Sequence, residues 1–179
     1  MNNFPIEHNG KTYWISRSVA TSGYIFCLIN DILHVLAAKR GKGCPNYQGY
    51  WNCPCGYLDY YETTKEGCCR EIKEETNLTV NPNDLHLFDI NDDPNDSESQ
   101  NITFNYWTYN SHFYKGQTIH TANAEKDEVD EVEWIPICDI NDYEWAFNHK
   151  EKIALIVYKH LYNKLSNYEL SEIKKLIFK

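Results

Sequence analysis

The sequence predicts an α/β fold in which a mixed β-sheet lies between helices. Three observations predict it. Residues 24–29 and 32–38 are apolar at successive positions, so both faces of these strands must be covered. Segments with helical apolar spacing, beginning near Thr64 and at Asn148, punctuate the strand-like runs. Further strand-like runs occupy residues 84–90 and 101–114. At 179 residues and 42% hydrophobic, residues 1–179 read as one domain with a sizeable core.

The elements follow in order. Residues 4–8 and 11–15 flank Asn9-Gly10, a two-residue hairpin signal, and make an N-terminal ribbon within residues 1–16. Residues 24–29 and 32–38 flank Asn30-Asp31, again suited to a tight turn. Thr63 followed by Glu66 is a capping box that starts a helix near Thr64, and Asn77, tolerant of the left-handed conformation, stops it. Residues 91–100 form a polar, acidic loop with Pro94 and the expected mobile segment. After Pro136 the chain turns helical, with Ile153, Ile156, Val157 and Leu161 at helical spacing over 148–164. Ser166 and Glu169 repeat the capping box and open an extra C-terminal helix, 166–178, with Leu170, Ile173 and Ile177 on one face.

The helix after Thr63 carries unusual chemistry. Glu71, Glu74 and Glu75 are spaced i, i+3, i+4 and share one face, while Cys68 and Ile72 lie on another that can anchor the helix to the core. A purely structural helix gains nothing from carboxylates that repel one another. Clustered oxygen ligands suit a hard cation such as Mg²⁺ or Mn²⁺. The ordinary fate of an acidic run is a solvated face, and the glycine turn, caps and full spacing argue against that here.

Charge and cysteine usage narrow the partners. With 17 Lys plus Arg against 26 Asp plus Glu, the net charge is −9, which repels polyanions unless cations intervene and leaves no basic stripe for long nucleic acid. No run approaches the ~20 apolar residues of a membrane span, so no membrane partner is expected. Seven Cys, an odd number without a secretory leader, point to reduced thiols and a cytoplasmic location. Cys44, Cys53 and Cys55 lack the paired arms of a zinc site.

Residues 56–78 resemble the signature of Nudix hydrolases, G-x5-E-x7-R-E-U-x-E-E-x-G-U with U aliphatic. Gly56, Glu62, Arg70, Glu71, Ile72, Glu74, Glu75 and Leu78 fall in register, and Asn77 stands where the family has Gly. Residues 49–56 are similar to the family's G-x-W-x-x-P-x-G approach, with Cys55 replacing the commoner Gly. The resemblance covers roughly residues 17–161 and implies a Nudix-type α/β/α sandwich with a mixed β-sheet. It also implies Mg²⁺ (or Mn²⁺) held by Glu71, Glu74, Glu75 and the Cys55 carbonyl, with Arg70 and Glu62 in structural support. Arg40 matches a family Arg that touches substrate phosphate. A fourth carboxylate, metal ligand or general base, is expected about six residues before Trp134; Glu128 holds that position, with Glu125 and Asp127 as alternatives.

The implied activity is hydrolysis of a diphosphate linked to a variable group. The expected substrate is a small-molecule nucleotide, ADP-ribose-like or a nucleoside triphosphate; Pro94 lies near where ADP-ribose-cleaving members carry a Pro. Gly56 and Arg40 belong to the expected substrate-binding set, and Tyr47, Tyr50, Phe104, Tyr106 and Trp107 are candidates to stack on a base. Strand alternation allows only one of the sets Phe104/Tyr106 and Asn105/Trp107 to face a pocket. A catalytically silent nucleotide-sensing module is the alternative. The N-terminal hairpin offers a surface through which a homodimer can form.

Overall fold

In the computed structural model the described residues are 3–95, 100–113, 119–120 and 127–177. Seven strands build the main sheet: β3 (Val19–Ile29), β4 (Ile32–Arg40), β5 (Trp51–Asn52), β6 (Cys55–Tyr57), β7 (His86–Asn91), β8 (Ile102–Tyr109) and β9 (Val129–Pro136). β3 and β8 run parallel over Val19–Phe26 and Ile102–Tyr109, and the other pairings are antiparallel, so the sheet is mixed as expected.

β3 organises the site. β8 fills one of its edges, while the other is shared by β4 from Phe26 onward and by β6 over Ala20–Ser22. Between them the Gly23 N–H donates to the Pro54 carbonyl at 2.8 Å. The loop leading to Gly56 therefore enters the sheet where β4 leaves β3.

Helices cover both faces. On one, Cys68 and Ile72 of α1 (Thr64–Thr76) meet Ile25, Cys27, Leu36, Tyr106 and Trp134. Contact is close: a Cβ at Gly23 would lie 2.8 Å from Ile72 Cδ1. On the other, α2 (His149–Ile156) and α3 (Asn167–Ile177) supply Ile153, Ile156 and Ile173 against Tyr24, Phe26, Leu33, Val35 and Ile135. Each such buried aliphatic or aromatic side chain contributes about 1.5–3 kcal/mol, and this double burial explains why 24–29 and 32–38 lack polar alternation.

Local signals behave as their chemistry requires. β1 (Phe4–His8) and β2 (Lys11–Ile15) pair across Asn9 and Gly10, both at positive φ (50° and 71°), and Asn30 and Asp31 repeat this between β3 and β4 (51° and 63°). Thr63 and Glu66 form the reciprocal capping box, and Asn77 closes α1 at φ 61°, in the left-handed region. The same reciprocity joins Ser166 and Glu169 at the start of α3.

Some boundaries differ. The helix expected over 148–164 is α-helical only to Ile156, continues as a π-helical Val157–Leu161 and ends in a 3-10 turn, Tyr162–Lys164. β3 begins at Val19 because β8 and β6 supply backbone partners to a stretch whose own pattern (Thr21, Ser22, Gly23) is not strand-like. β8 ends at Tyr109, where the Asn110 side chain accepts the His112 N–H at 2.9 Å in a turn. No helix among the described residues is long and apolar enough to cross a membrane.

Candidate metal centre and active site

Residues 51–57 thread between β3 and the segment preceding α2. Trp51 N–H donates to the Glu144 carbonyl, Ala146 N–H to the Trp51 carbonyl, and Cys53 N–H to Nδ1 of His149 at 3.0 Å. Gly56 is then delivered against α1. A Cβ there would collide with the Glu71 carboxylate, so any side chain at this position would have to displace that carboxylate; no positive φ is involved.

Arg70 is the hub of the acidic face. Its Nε and Nη2 grip Glu62 at 3.1 and 2.9 Å, its Nη1 donates to Glu71 at 2.8 Å and Glu74 at 2.9 Å, and Nη2 also reaches the Tyr57 carbonyl at 2.9 Å. A planar fork can meet these acceptors together where an ammonium cannot. Glu62 also accepts the Asp59 N–H at 2.8 Å, and the Arg70 hydrogen bond, helped by this one, holds its carboxyl below the usual range.

Glu75 lies deepest, 5% exposed, with Oε1 3.4 Å from the Cys55 N–H and Oε2 buried without a hydrogen-bond partner among the described residues. Burial first, then the charges of Glu71 and Glu128, push its carboxyl well above the ordinary range. Burial likewise raises Glu71, against the pull of Arg70 and with a push from Glu74 and Glu128. An orphaned buried carboxylate oxygen among other carboxylates fits a hard divalent cation, which supplies the missing partner and offsets the repulsion. Among the described residues no three His, Cys, Asp or Glu side chains already converge as a ligand cage, and Arg70 holds an oxygen of Glu71 and one of Glu74.

These groups line one cavity of about 1320 Å³. Cys55, Gly56, Arg70, Glu71, Glu74, Glu75 and Glu128 form its acidic end. Of the alternatives for the fourth carboxylate, Asp127 is not among the lining residues and Glu125 lies outside the described residues. Arg40 reaches the cavity with its Nε and Nη2 bound to Asn46 and its guanidinium 5.2 Å from the Phe147 ring centroid.

Phe104, expected as a stacking candidate, is not among the residues lining the cavity. Thr103 and Asn105 face the cavity, whereas Phe104 and Tyr106 turn to the α1 face and pack with its apolar cluster. Trp107 shares the side of Asn105 but stacks on His160 instead, with centroids 4.8 Å apart. Tyr47 does line the cavity, paired at 4.9 Å with Phe147, a residue that no motif in the sequence marks.

His149 and Lys152 also line it without having been anticipated. Because His149 Nδ1 accepts a backbone N–H, the ring proton sits on Nε2. Burial, with Lys152 and Arg40 nearby, lowers its pKa to about 3, so it remains neutral. Lys152 pairs with Asp89 at 2.8 Å, and Asp89 accepts from the Asn105 amide at 2.7 Å. A local signal for this group was the start of an amphipathic helix at Asn148, which places His149 and Lys152 one turn apart.

A family model for the NUDIX domain matches residues 21–156. No curated protein matches the sequence. Among solved structures, the NUDIX domain of Shewanella oneidensis NrtR complexed with ADP ribose aligns at TM-score 0.66 and 19% identity, over 78% of this chain and 85% of that one. A MutT/nudix family protein from Enterococcus faecalis aligns at 0.67 and 18%, over 93% and 70%. A bifunctional NMN adenylyltransferase/ADP ribose pyrophosphatase from Francisella tularensis, complexed with AMP and a Mn ion, aligns at 0.60 and 21%, over 79% of this chain but only 41% of that one.

Proposed function

The chain belongs to the Nudix family, and from that premise we propose that it is a divalent-metal-dependent hydrolase cleaving the diphosphate linkage of a small nucleoside diphosphate derivative, with an ADP-ribose-like compound as the favoured substrate. The observation that carries the reading is Glu75 Oε2, buried and without a partner among the described residues, beside Glu71 at the end of a cavity that also holds Arg40 and an aromatic pair. The cavity volume of about 1320 Å³ exceeds the roughly 300–1,000 Å³ of ordinary small-molecule sites, leaving room for a nucleoside, two phosphates and an appended group.

Glu71, Glu74, Glu75 and the Cys55 carbonyl would hold Mg²⁺ or Mn²⁺. Bound there, the cation polarises phosphoryl oxygens and acidifies water. Arg70 keeps Glu71 and Glu74 oriented and Glu62 fixes Arg70. Glu128 lines the same end, and in this reading it takes the proton of the attacking water. Arg40 binds phosphate, and the faces of Tyr47 and Phe147 receive the base. Likeness to an ADP-ribose-bound NUDIX domain and to a protein named as an ADP ribose pyrophosphatase supports the substrate class. The full set of box carboxylates favours turnover over silent nucleotide sensing.

The test is a panel of nucleoside diphosphate derivatives and triphosphates incubated with Mg²⁺ or Mn²⁺ and read for product. Release of nucleoside monophosphate that stops in excess chelator supports the proposal. Tight nucleotide binding with no turnover of any member would favour the sensing module.

A further inference from the structure

The main chain at Glu128 is held by the turn that follows β4. Gly41 N–H donates to the Glu128 carbonyl at 2.8 Å, Gly43 N–H to the Asp127 carbonyl at 2.7 Å, and the Cys44 thiol to the Glu128 carbonyl at 3.2 Å. Two donors thus occupy both lone pairs of the Glu128 oxygen, and with the Asp127 carbonyl held by Gly43 the peptide planes on both sides of Glu128 are fixed, and with them the direction in which its side chain departs. Gly41 is obligatory for this approach, since a Cβ would collide with the Asp127 carbonyl. Cys44 is 3% exposed and cannot be exchanging its hydrogen bond with bulk water.

The sheet register points the same way. Lys39 pairs with Glu131 but Arg40 pairs with Val129, so β9 carries Asp130 as an extra residue immediately after Glu128 and Val129. Such a bulge shifts the alternation of a strand and re-aims the side chains beyond it. The turn is itself braced: the Gln48 amide donates to the carbonyls of Lys42 and Cys44 at 3.1 and 2.9 Å, and Arg40 exchanges backbone hydrogen bonds with Tyr50 and Gly49. One rigid loop therefore carries Arg40 and Tyr47 to the cavity and grips the chain at Glu128.

We propose that residues 41–44 are a clamp that positions Glu128 across from Glu71 and Glu75, with the Cys44 thiol a positioning residue that acts through the Glu128 carbonyl. This rests on Glu128 taking part in hydrolysis. A cysteine that only fills space would tolerate Val, of similar shape, better than Ser. A cysteine that positions by donating a hydrogen bond is matched by Ser and not by Val.

The experiment is steady-state kinetics on Cys44→Val, Cys44→Ser, Glu128→Gln and the Cys44→Val/Glu128→Gln double variant, with melting curves on each. A thiol is a weak donor, so losing its hydrogen bond corresponds to a fall in kcat at the low end of the ordinary range, roughly twofold to fivefold. That fall is expected for Cys44→Val with KM within about twofold, restoration toward wild type for Cys44→Ser, and no additional loss from Cys44→Val once Glu128 is Gln. Should Val fail to fold, Cys44→Ala removes the donor without adding bulk. The clamp is overturned if the donor-less variant keeps wild-type kcat, if Ser is as damaging as Val, or if the loss persists undiminished in the Glu128→Gln background. Wild-type kcat in Glu128→Gln alone overturns both the role of Glu128 and the clamp that depends on it, a result separable from the other three.

Discussion

The Glu71 carboxylate occupies the space that a Cβ on Gly56 would fill. Contact between the loop glycine and the helix glutamate is thus steric, and it sets how deeply the acidic face of α1 enters the cavity. Gly56→Ala should displace Glu71 and lower kcat by roughly 10²-fold, the scale of a misplacement of about 1 Å, while circular dichroism stays native. Unchanged kinetics would mean that Glu71 has no fixed station.

Arg70 joins Glu62, Glu71, Glu74 and the Tyr57 carbonyl through three nitrogens. Arg70→Lys keeps the charge but cannot span these acceptors. Chemical denaturation should show a loss of about 1–3 kcal/mol, the scale of hydrogen bonds to charged groups, and kcat should fall roughly 10- to 100-fold. A Lys variant with wild-type stability and turnover would show the hub to be dispensable.

Burial raises the Glu75 carboxyl, and Glu71 follows in the same direction. In the unfolded chain both ionise in the ordinary carboxylate range while the metal-free fold still retains their protons. The unfolded state then binds fewer protons, so metal-free stability falls as pH rises from the unfolded values through the raised ones. Glu62 acts oppositely, its contribution present above its unfolded value and lost as pH falls through the lowered one. Mg²⁺ competes with protons at Glu75 and Glu71. The Mg²⁺-induced rise in Tm should therefore be larger near about pH 8 than near about pH 5, and Glu75→Gln should abolish most of that difference. Equal rises at both pH values would contradict the buried carboxylates as the binding site.

Phe147 and Phe104 make opposite predictions because Phe147 lines the cavity whereas Phe104 packs with the apolar cluster under α1. Phe147→Ala should weaken calorimetric binding of ADP, measured with Ca²⁺, by about 1–3 kcal/mol, the value of one stacked base. Phe104→Ala should leave that affinity nearly unchanged and cost about 1–3 kcal/mol of folding stability, below the value for a fully buried Phe. The reverse pattern would return the base to Phe104.

The acidic half of the site was legible from sequence because its parts are local. Glu71, Glu74 and Glu75 need only a helix, and Thr63, Glu66 and Asn77 specify that helix within 15 residues. Arg40 and Glu128 come from distant segments, and only the family resemblance brought them into view. Helical spacing after Asn148 set His149 and Lys152 one turn apart but did not show that they, or Phe147, meet the cavity, because that depends on the bridge between Trp51 and Trp145, a long-range pairing. The facing of Phe104 was hidden for a different reason. Period-2 alternation says which residues share a face but not which face meets the cavity, and β8 was settled by its parallel register against β3.

The claim that the buried carboxylate face of α1 is a metal-dependent catalytic centre is tested most directly by the Mg²⁺-dependent rate of nucleoside monophosphate release, wild type against Glu75→Gln. Oε1 of a glutamine can still accept the Cys55 N–H, so the fold should survive, and the melting temperature without metal should not fall. The rate should drop by roughly 10²–10³, the scale of losing one strong transition-state stabiliser, and excess chelator should bring wild type to the same floor. A natively folded Glu75→Gln protein turning over at the wild-type rate, or a wild-type rate indifferent to chelator, would contradict it.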